Sequence, residues 1–187
     1  TYLKKENIII YDEKYIHVWP IHPYDRLVDF IKEKKWDKLK IGVEMDSHYF
    51  TAYSYEKLKN GLPNSKIKDC ERLVNWVRLI KSDQEIKYMK IASEITQLGM
   101  KTAFKEINHG VRQCDAVAKI YSTLISGTRE YGGDYASIVP LIPTGKGTSA
   151  SHLTWTDEKF VNGEASIIEI SGAYKKYHCP MARTVLL

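Results

Sequence analysis

The sequence predicts an α/β domain over residues 1–78 followed by an α+β domain over residues 79–187. Three observations lead there. Up to about residue 78, short β-branched runs alternate with stretches of helical apolar spacing. Ser82-Asp83-Gln84-Glu85 then has the form of a capping box opening a long helix. Finally, GEASIIEISGAYKKYHCPMARTV (163–185) alternates apolar and polar positions, as two strands joined by a tight turn do.

Taken in order, NIIIYD (7–12) and KYIHVW (14–19) read as a hairpin with Asp12 and Glu13 at its turn. Leu27, Phe30 and Ile31 place an apolar stripe on a helix from His22 to Lys34. LKIGVEM (39–45) is a β run, and Ser47 to Lys59 a second helix stopped by NGLP (60–63). Lys66–Asp69 is a short strand ahead of the helix-like ERLVNWVRLIK (71–81). The helix after the capping box carries Tyr88, Ile91, Ala92, Ile95, Leu98, Thr102 and Ala103 on one side and ends near Asn108-His109-Gly110. A further helix spans Val111 to Ser126, with Val117, Ile120, Tyr121 and Leu124 inward. Ser166–Ser171 and Tyr177–Val185 are the closing strands, with Gly172 at the corner between them.

The 187 residues are 43% hydrophobic, 27% charged and 11% aromatic, ordinary for a globular chain long enough to bury a core. Net charge is +5. The densest basic run, KEKKWDKLK (32–40), also holds Glu33 and Asp37 and reads as a solvated helix end, not a nucleic-acid platform. Cys70, Cys114 and Cys179 form no CxxC pair and suit reduced thiols. No signal-peptide segment and no bilayer-length apolar run is present, so a cytoplasmic location with no membrane partner is expected.

Several residues bear chemistry. Glu169 lies inside a strand between Ile168 and Ile170, where an acid is costly to bury unless it is paired or protonated. Two roles are open: an ion pair with Arg183 on the partner strand, or a carboxylate that faces substrate to activate water or attack directly. His152 follows the small-residue loop GKGTSAS (145–151), which lets an imidazole reach a cleft as proton donor and acceptor. Trp155 is either a core aromatic or an indole face for a small cation. Asp134 and Tyr135, after Gly132-Gly133, are either cleft-lining groups or a turn cap and a core residue. His178 and Cys179 are adjacent on a strand, point to opposite faces and make poor co-ligands. GKGTS lacks the phosphate-loop pattern.

His152, Glu169, Tyr174, Tyr177, Arg183 and Thr184 together resemble the creatinase–aminopeptidase P–prolidase (pita-bread) family. The resemblance implies a creatinase-type N-terminal domain and the first half of a pita-bread catalytic domain, with the chain a fragment that is inactive alone. In that family's metal-dependent members, two aspartates eleven residues apart bind a dinuclear metal centre. Here those positions are Glu169 and Pro180, and proline has no donor atom. The expectation is a retained scaffold with no metal or other cofactor. GVEMD (42–46), LVNWVRLIKS (73–82), GGDY (132–135), IVPLIPTG (138–145) and HLTW (152–155) are similar to the ectoine hydrolases within this family. That similarity implies metal-free opening of a cyclic amidine, with His152 and Glu169 catalytic and Trp155, Asp134 and Tyr135 binding substrate. Creatinase-like dimers, in which one subunit's N-terminal domain reaches towards the other's site, imply a homodimer when full length, with Asp46 and Tyr49 either at that contact or plain surface residues. Two rival expectations are a metal-dependent Xaa-Pro peptidase with altered ligands and a non-catalytic binding module.

Overall fold

The computed structural model describes residues 3–187 and divides the chain into two compact units, Thr1–Ile80 and Lys81–Leu187. Residues 1 and 2, which the sequence assigns to the first domain, lie outside the described residues.

In the first unit, helix α1 (Pro23–Glu33) begins where His22 accepts the Tyr24 N–H and Asp25 accepts the His22 N–H, with Pro23 preset for the first turn. Strand β1 (Lys40–Val43) follows, then helix α2 (Ala52–Gly61), strand β2 (Lys66–Asp69) and the short helix α3 (Leu73–Val77). β1 and β2 pair in parallel, Lys40 opposite Lys66. α2 is the crossover between them, as a parallel pair requires. Val28, Ile31, Leu58 and Leu62 form the core, backed by Ile41, Val43, Phe50 and Ile67. α2 starts later than the apolar spacing predicts because Thr51 accepts the Ser54 N–H and so caps it.

The expected hairpin over 7–12 and 14–19 does not form. Lys5–Asn7 and Glu13–Tyr15 wind instead into single 3-10 turns, and Ile8, Ile9 and Ile10 are exposed. The Tyr15 and Ile16 N–H groups close back onto Asp12 and Glu13, which removes the donors a two-residue hairpin turn would align. An isolated two-strand ribbon has little stability of its own.

In the second unit, Ser82 and Glu85 exchange the capping bonds that launch helix α4 (Asp83–Glu106), and helix α5 (Gln113–Ser126) packs beside it. Both cover one face of an antiparallel ribbon, strand β3 (Ala165–Tyr174) with strand β4 (Tyr177–Leu186). Ile95, Met100, Ala103, Val117, Ile120, Ile142, Phe160, Ile168 and Ile170 make this core.

The turn between β3 and β4 is not at Gly172. Tyr174 pairs with Tyr177, and Lys175 and Lys176 take the corner with φ of 50° and 69°, the left-handed pair that a two-residue hairpin loop needs. Gly172 instead lies inside β3, where a Cβ would stand 2.6 Å from the Ala92 carbonyl and 2.8 Å from the Thr96 nitrogen. It is the place where helix backbone meets strand backbone. Thr96 fastens the contact, its hydroxyl accepting the Gly172 N–H at 2.8 Å and donating to the Cys179 carbonyl at 2.6 Å.

Candidate active site

β3 has neighbours on both edges. Its even-numbered residues turn their backbone groups to β4, and its odd-numbered residues turn theirs to the 134–144 segment. Leu141 and Glu169 exchange both backbone bonds at 2.9 Å, Ile167 donates to Pro143, and Asp134 donates to Ala173. Glu169 is therefore held in a central strand.

Side chains alternate likewise. Ser166, Ile168 and Ile170 are buried, whereas Ile167 and Glu169 emerge on the opposite face. On that second face Glu169 sits opposite Ala182, and Pro180 opposite Ser171, which makes Glu169 and Pro180 diagonal neighbours. Pro180 gives up no ladder bond there, because its backbone nitrogen points away from β3 at a non-hydrogen-bonded rung.

Arg183 is opposite Ile168 and donates to the Ala182 carbonyl at 2.7 Å. Of the two roles open to Glu169, the ion pair with Arg183 does not form, because the two side chains leave the ribbon on opposite faces.

His152 reaches Glu169 from the loop after a 3-10 turn, Gly145–Ser149. The Thr148 hydroxyl donates to the Gly145 carbonyl, and His152 itself has φ of 60°, a left-handed conformation uncommon outside glycine and found at sites where surroundings hold it. Beyond the histidine, Gln113 at the start of α5 accepts the Thr156 N–H at 2.9 Å. The imidazole Nε2 then lies 4.0 Å from Glu169 Oε2. These two residues line a cleft of about 210 Å³ with Leu141, Pro143, Thr148, Ala150, Ser151 and Ile167. Among the described residues Glu169 is its one carboxylate and no lysine or arginine lines it; the remaining walls are small and apolar or hydroxylic.

Trp155, Asp134 and Tyr135 do not line this cleft. Trp155 packs edge-on against Tyr121, centroids 6.2 Å apart, on the flank of the core. The Asp134 carboxylate accepts from Lys176 at 2.8 Å, and this bond holds its pKa below the usual carboxylate range. Tyr135 is exposed beneath the same ammonium, 4.1 Å from ring centre. In the first unit Asp46 pairs with Arg72 at 3.0 Å and Tyr49 is exposed. Leu141, Pro143 and Ile167 are lining residues that the sequence reading overlooked. IVPLIPTG marks the segment, but only its pairing with β3 reveals which side chains turn to Glu169.

Among the described residues no three His, Cys, Asp or Glu side chains gather as a metal-ligand group. The diagonal position beside Glu169 offers proline, so the donors present do not fit a carboxylate-bridged metal pair. No described helix is long and apolar enough to cross a membrane.

Comparison with known proteins identifies the family. Ectoine hydrolase of Halomonas elongata is 42% identical over 193 residues, covering 100% of this chain and 48% of that protein. An uncharacterized hydrolase/peptidase of Sinorhizobium fredii is 40% identical, over 99% of this chain and 47% of its own. The chain thus spans about half the length of the curated relatives it matches. Among solved structures, a prolidase from Thermococcus sibiricus shares the fold with a TM-score of 0.74 at 22% identity, covering 89% of this chain and 44% of that one. The Creatinase/Prolidase N-terminal domain profile matches residues 3–80, and the Metallopeptidase family M24 profile matches residues 87–187. The chain belongs to the M24 family, a hydrolase family, with a creatinase-type domain ahead of the first part of its pita-bread domain.

Proposed function

We propose that the full-length protein hydrolyses a non-peptide C–N bond, opening the cyclic amidine ectoine to an N-acetylated diaminobutyrate without a metal ion. The observation that carries this reading is Pro180, which stands diagonal to Glu169 where a second chelating carboxylate would be needed. The similarity to an ectoine hydrolase supports the substrate. So does the charge of the cleft: one carboxylate among small neutral walls suits a delocalised cationic ring.

In this reading Glu169 takes a proton from a water whose oxygen bonds to the amidine carbon. The ring C–N bond then breaks, and His152 delivers a proton to the departing nitrogen. Direct attack by the Glu169 carboxylate is the variant of this scheme, and it predicts a covalent adduct that mass spectrometry of quenched enzyme would detect. Neither Trp155 nor Asp134 has a part in the scheme. The whole enzyme is read as a cytoplasmic homodimer.

A metal-dependent Xaa-Pro peptidase is the second reading, favoured by the family's metallopeptidases and by 24% identity to an Xaa-Pro dipeptidase of Pyrococcus horikoshii. One experiment separates the two. Full-length protein is assayed for ectoine loss and for Xaa-Pro cleavage, with metal content measured before and after chelation. Ectoine turnover that survives chelation is expected. Stoichiometric Mn, Co or Zn whose removal abolishes activity would overturn the metal-free reading.

A further inference from the structure

The 134–144 segment does not follow β3 evenly. It advances seven residues between Asp134 and Leu141, while β3 advances four between Ala173 and Glu169. Three extra residues must therefore leave the ladder, and the backbone bulges over residues 135–140. A bulge this size frees backbone donors from the sheet, and each needs an acceptor.

The acceptor for Ser137 is a side chain on β4. Its N–H donates to His178 Nε2 at 3.0 Å. The other ring nitrogen, Nδ1, lies 3.0 Å from the Lys176 carbonyl, which can only accept. Nδ1 must therefore carry the ring hydrogen, and Nε2 must keep its lone pair. That tautomer satisfies both backbone partners, and the Ser137 hydroxyl stands 3.4 Å from the same Nε2.

We infer that His178 is a positioning residue for the cleft: by gripping the bulge at Ser137 it sets Leu141, which bonds Glu169 through both backbone groups and walls the cleft with its side chain. A side chain with no acceptor at this position lets the bulge go. Lys176, whose carbonyl lies beside Nδ1, is itself tied to Asp134 at 2.8 Å.

The inference about activity rests on the cleft being the active site, whereas the release of the bulge does not, so the test has two arms. Hydrogen–deuterium exchange of the full-length protein is followed by mass spectrometry at pH 7.5. In His178→Phe, a peptide covering residues 135–141 is expected to exchange about tenfold faster than in wild type, the loss of one hydrogen bond. His178→Gln restores an acceptor and should bring back the wild-type protection. His178→Phe as protected as wild type overturns the inference. In the kinetic arm, His178→Phe should lower kcat for ectoine opening and His178→Gln should recover it. Equal kcat in His178→Phe and wild type overturns the link to the cleft, and no ectoine turnover in any form sinks the proposed function while the exchange result stands.

Discussion

Nε2 of His152 stands 4.0 Å from Oε2 of Glu169. This is beyond hydrogen-bond length, so neither group consumes the other's proton or lone pairs. Both remain free to serve a molecule in the cleft between them. The carboxylate is fixed by its central strand, whereas the imidazole rides on a loop and is largely exposed. One partner sets the position and the other adjusts to it.

If the two act as a unit, their removal is not additive. Glu169→Gln and His152→Asn are each expected to lower kcat for ectoine opening by at least ~10²-fold, the usual share of a positioned acid or base. The double variant should be little worse than the poorer single one. Steady-state kinetics of the three full-length variants checks this, and near-normal turnover by Glu169→Gln would remove that residue from the chemistry.

Pro180→Asp tests why the scaffold carries no carboxylate pair. It places a second carboxylate diagonal to Glu169 on the same face of the ribbon. Calorimetric titration with Mn²⁺ should detect binding in the variant that wild type lacks. Ectoine turnover should fall, because the added negative charge raises the basicity of Glu169 and occupies its cleft. Equal Mn²⁺ binding by both proteins would contradict the assignment of this position.

The contact between α4 and β3 admits no methyl group at residue 172. Gly172→Ala should destabilise the second unit by about 1–3 kcal/mol, the cost of forcing an atom into a packed backbone contact. Thr96→Val preserves shape but strips the Gly172 N–H and the Cys179 carbonyl of their shared partner, for a similar ~1–3 kcal/mol. Urea unfolding midpoints provide the measurement. An unaltered midpoint for Gly172→Ala would mean the helix does not sit this close.

Glu85 should give stability an acid-sensitive component. Its carboxylate accepts the Ser82 N–H, the Ser82 hydroxyl and the Tyr177 hydroxyl, and these bonds lower its pKa from 4.5 to about 2. A carboxylate whose pKa falls on folding stabilises the native state above its unfolded value and ceases to do so as pH drops through its folded one. Wild type should therefore exceed Glu85→Gln in stability at pH 7, with the gap closing between about pH 4.5 and pH 2. Denaturant titrations at pH 7, 4 and 2.5 check this, and a gap that widens towards low pH would be the wrong sign.

Local signals were legible in the sequence where local chemistry decides the structure. Ser82 and Glu85 announced α4 because a cap and its return bond lie three residues apart. The alternation around Glu169 announced β3 and turned the carboxylate away from the core. His152 and Glu169 were singled out as candidates from residue type and family spacing, and the fold brings both to one cleft. The rest required partners distant in sequence. Ile8 to Ile10 look like a strand, yet among the described residues no strand pairs with them. Gly172 looks like a turn, but its missing side chain accommodates a helix. Asp134, Tyr135 and Trp155 carry suitable groups for binding a cation, but Lys176 occupies the first two and Tyr121 packs the third. Leu141 gave no sign of its place beside Glu169, since strand pairing leaves no mark within a single segment.

The two-sided anchoring of β3 has an evolutionary corollary. With main-chain groups on both flanks committed, an insertion or a slip around residue 169 would break paired bonds on two edges at once. New reactivity can arise only by exchanging what hangs from that lattice, at places such as 152, 180 and 182. A lineage can thereby trade one bond-breaking strategy for another through a few substitutions and keep the same framework.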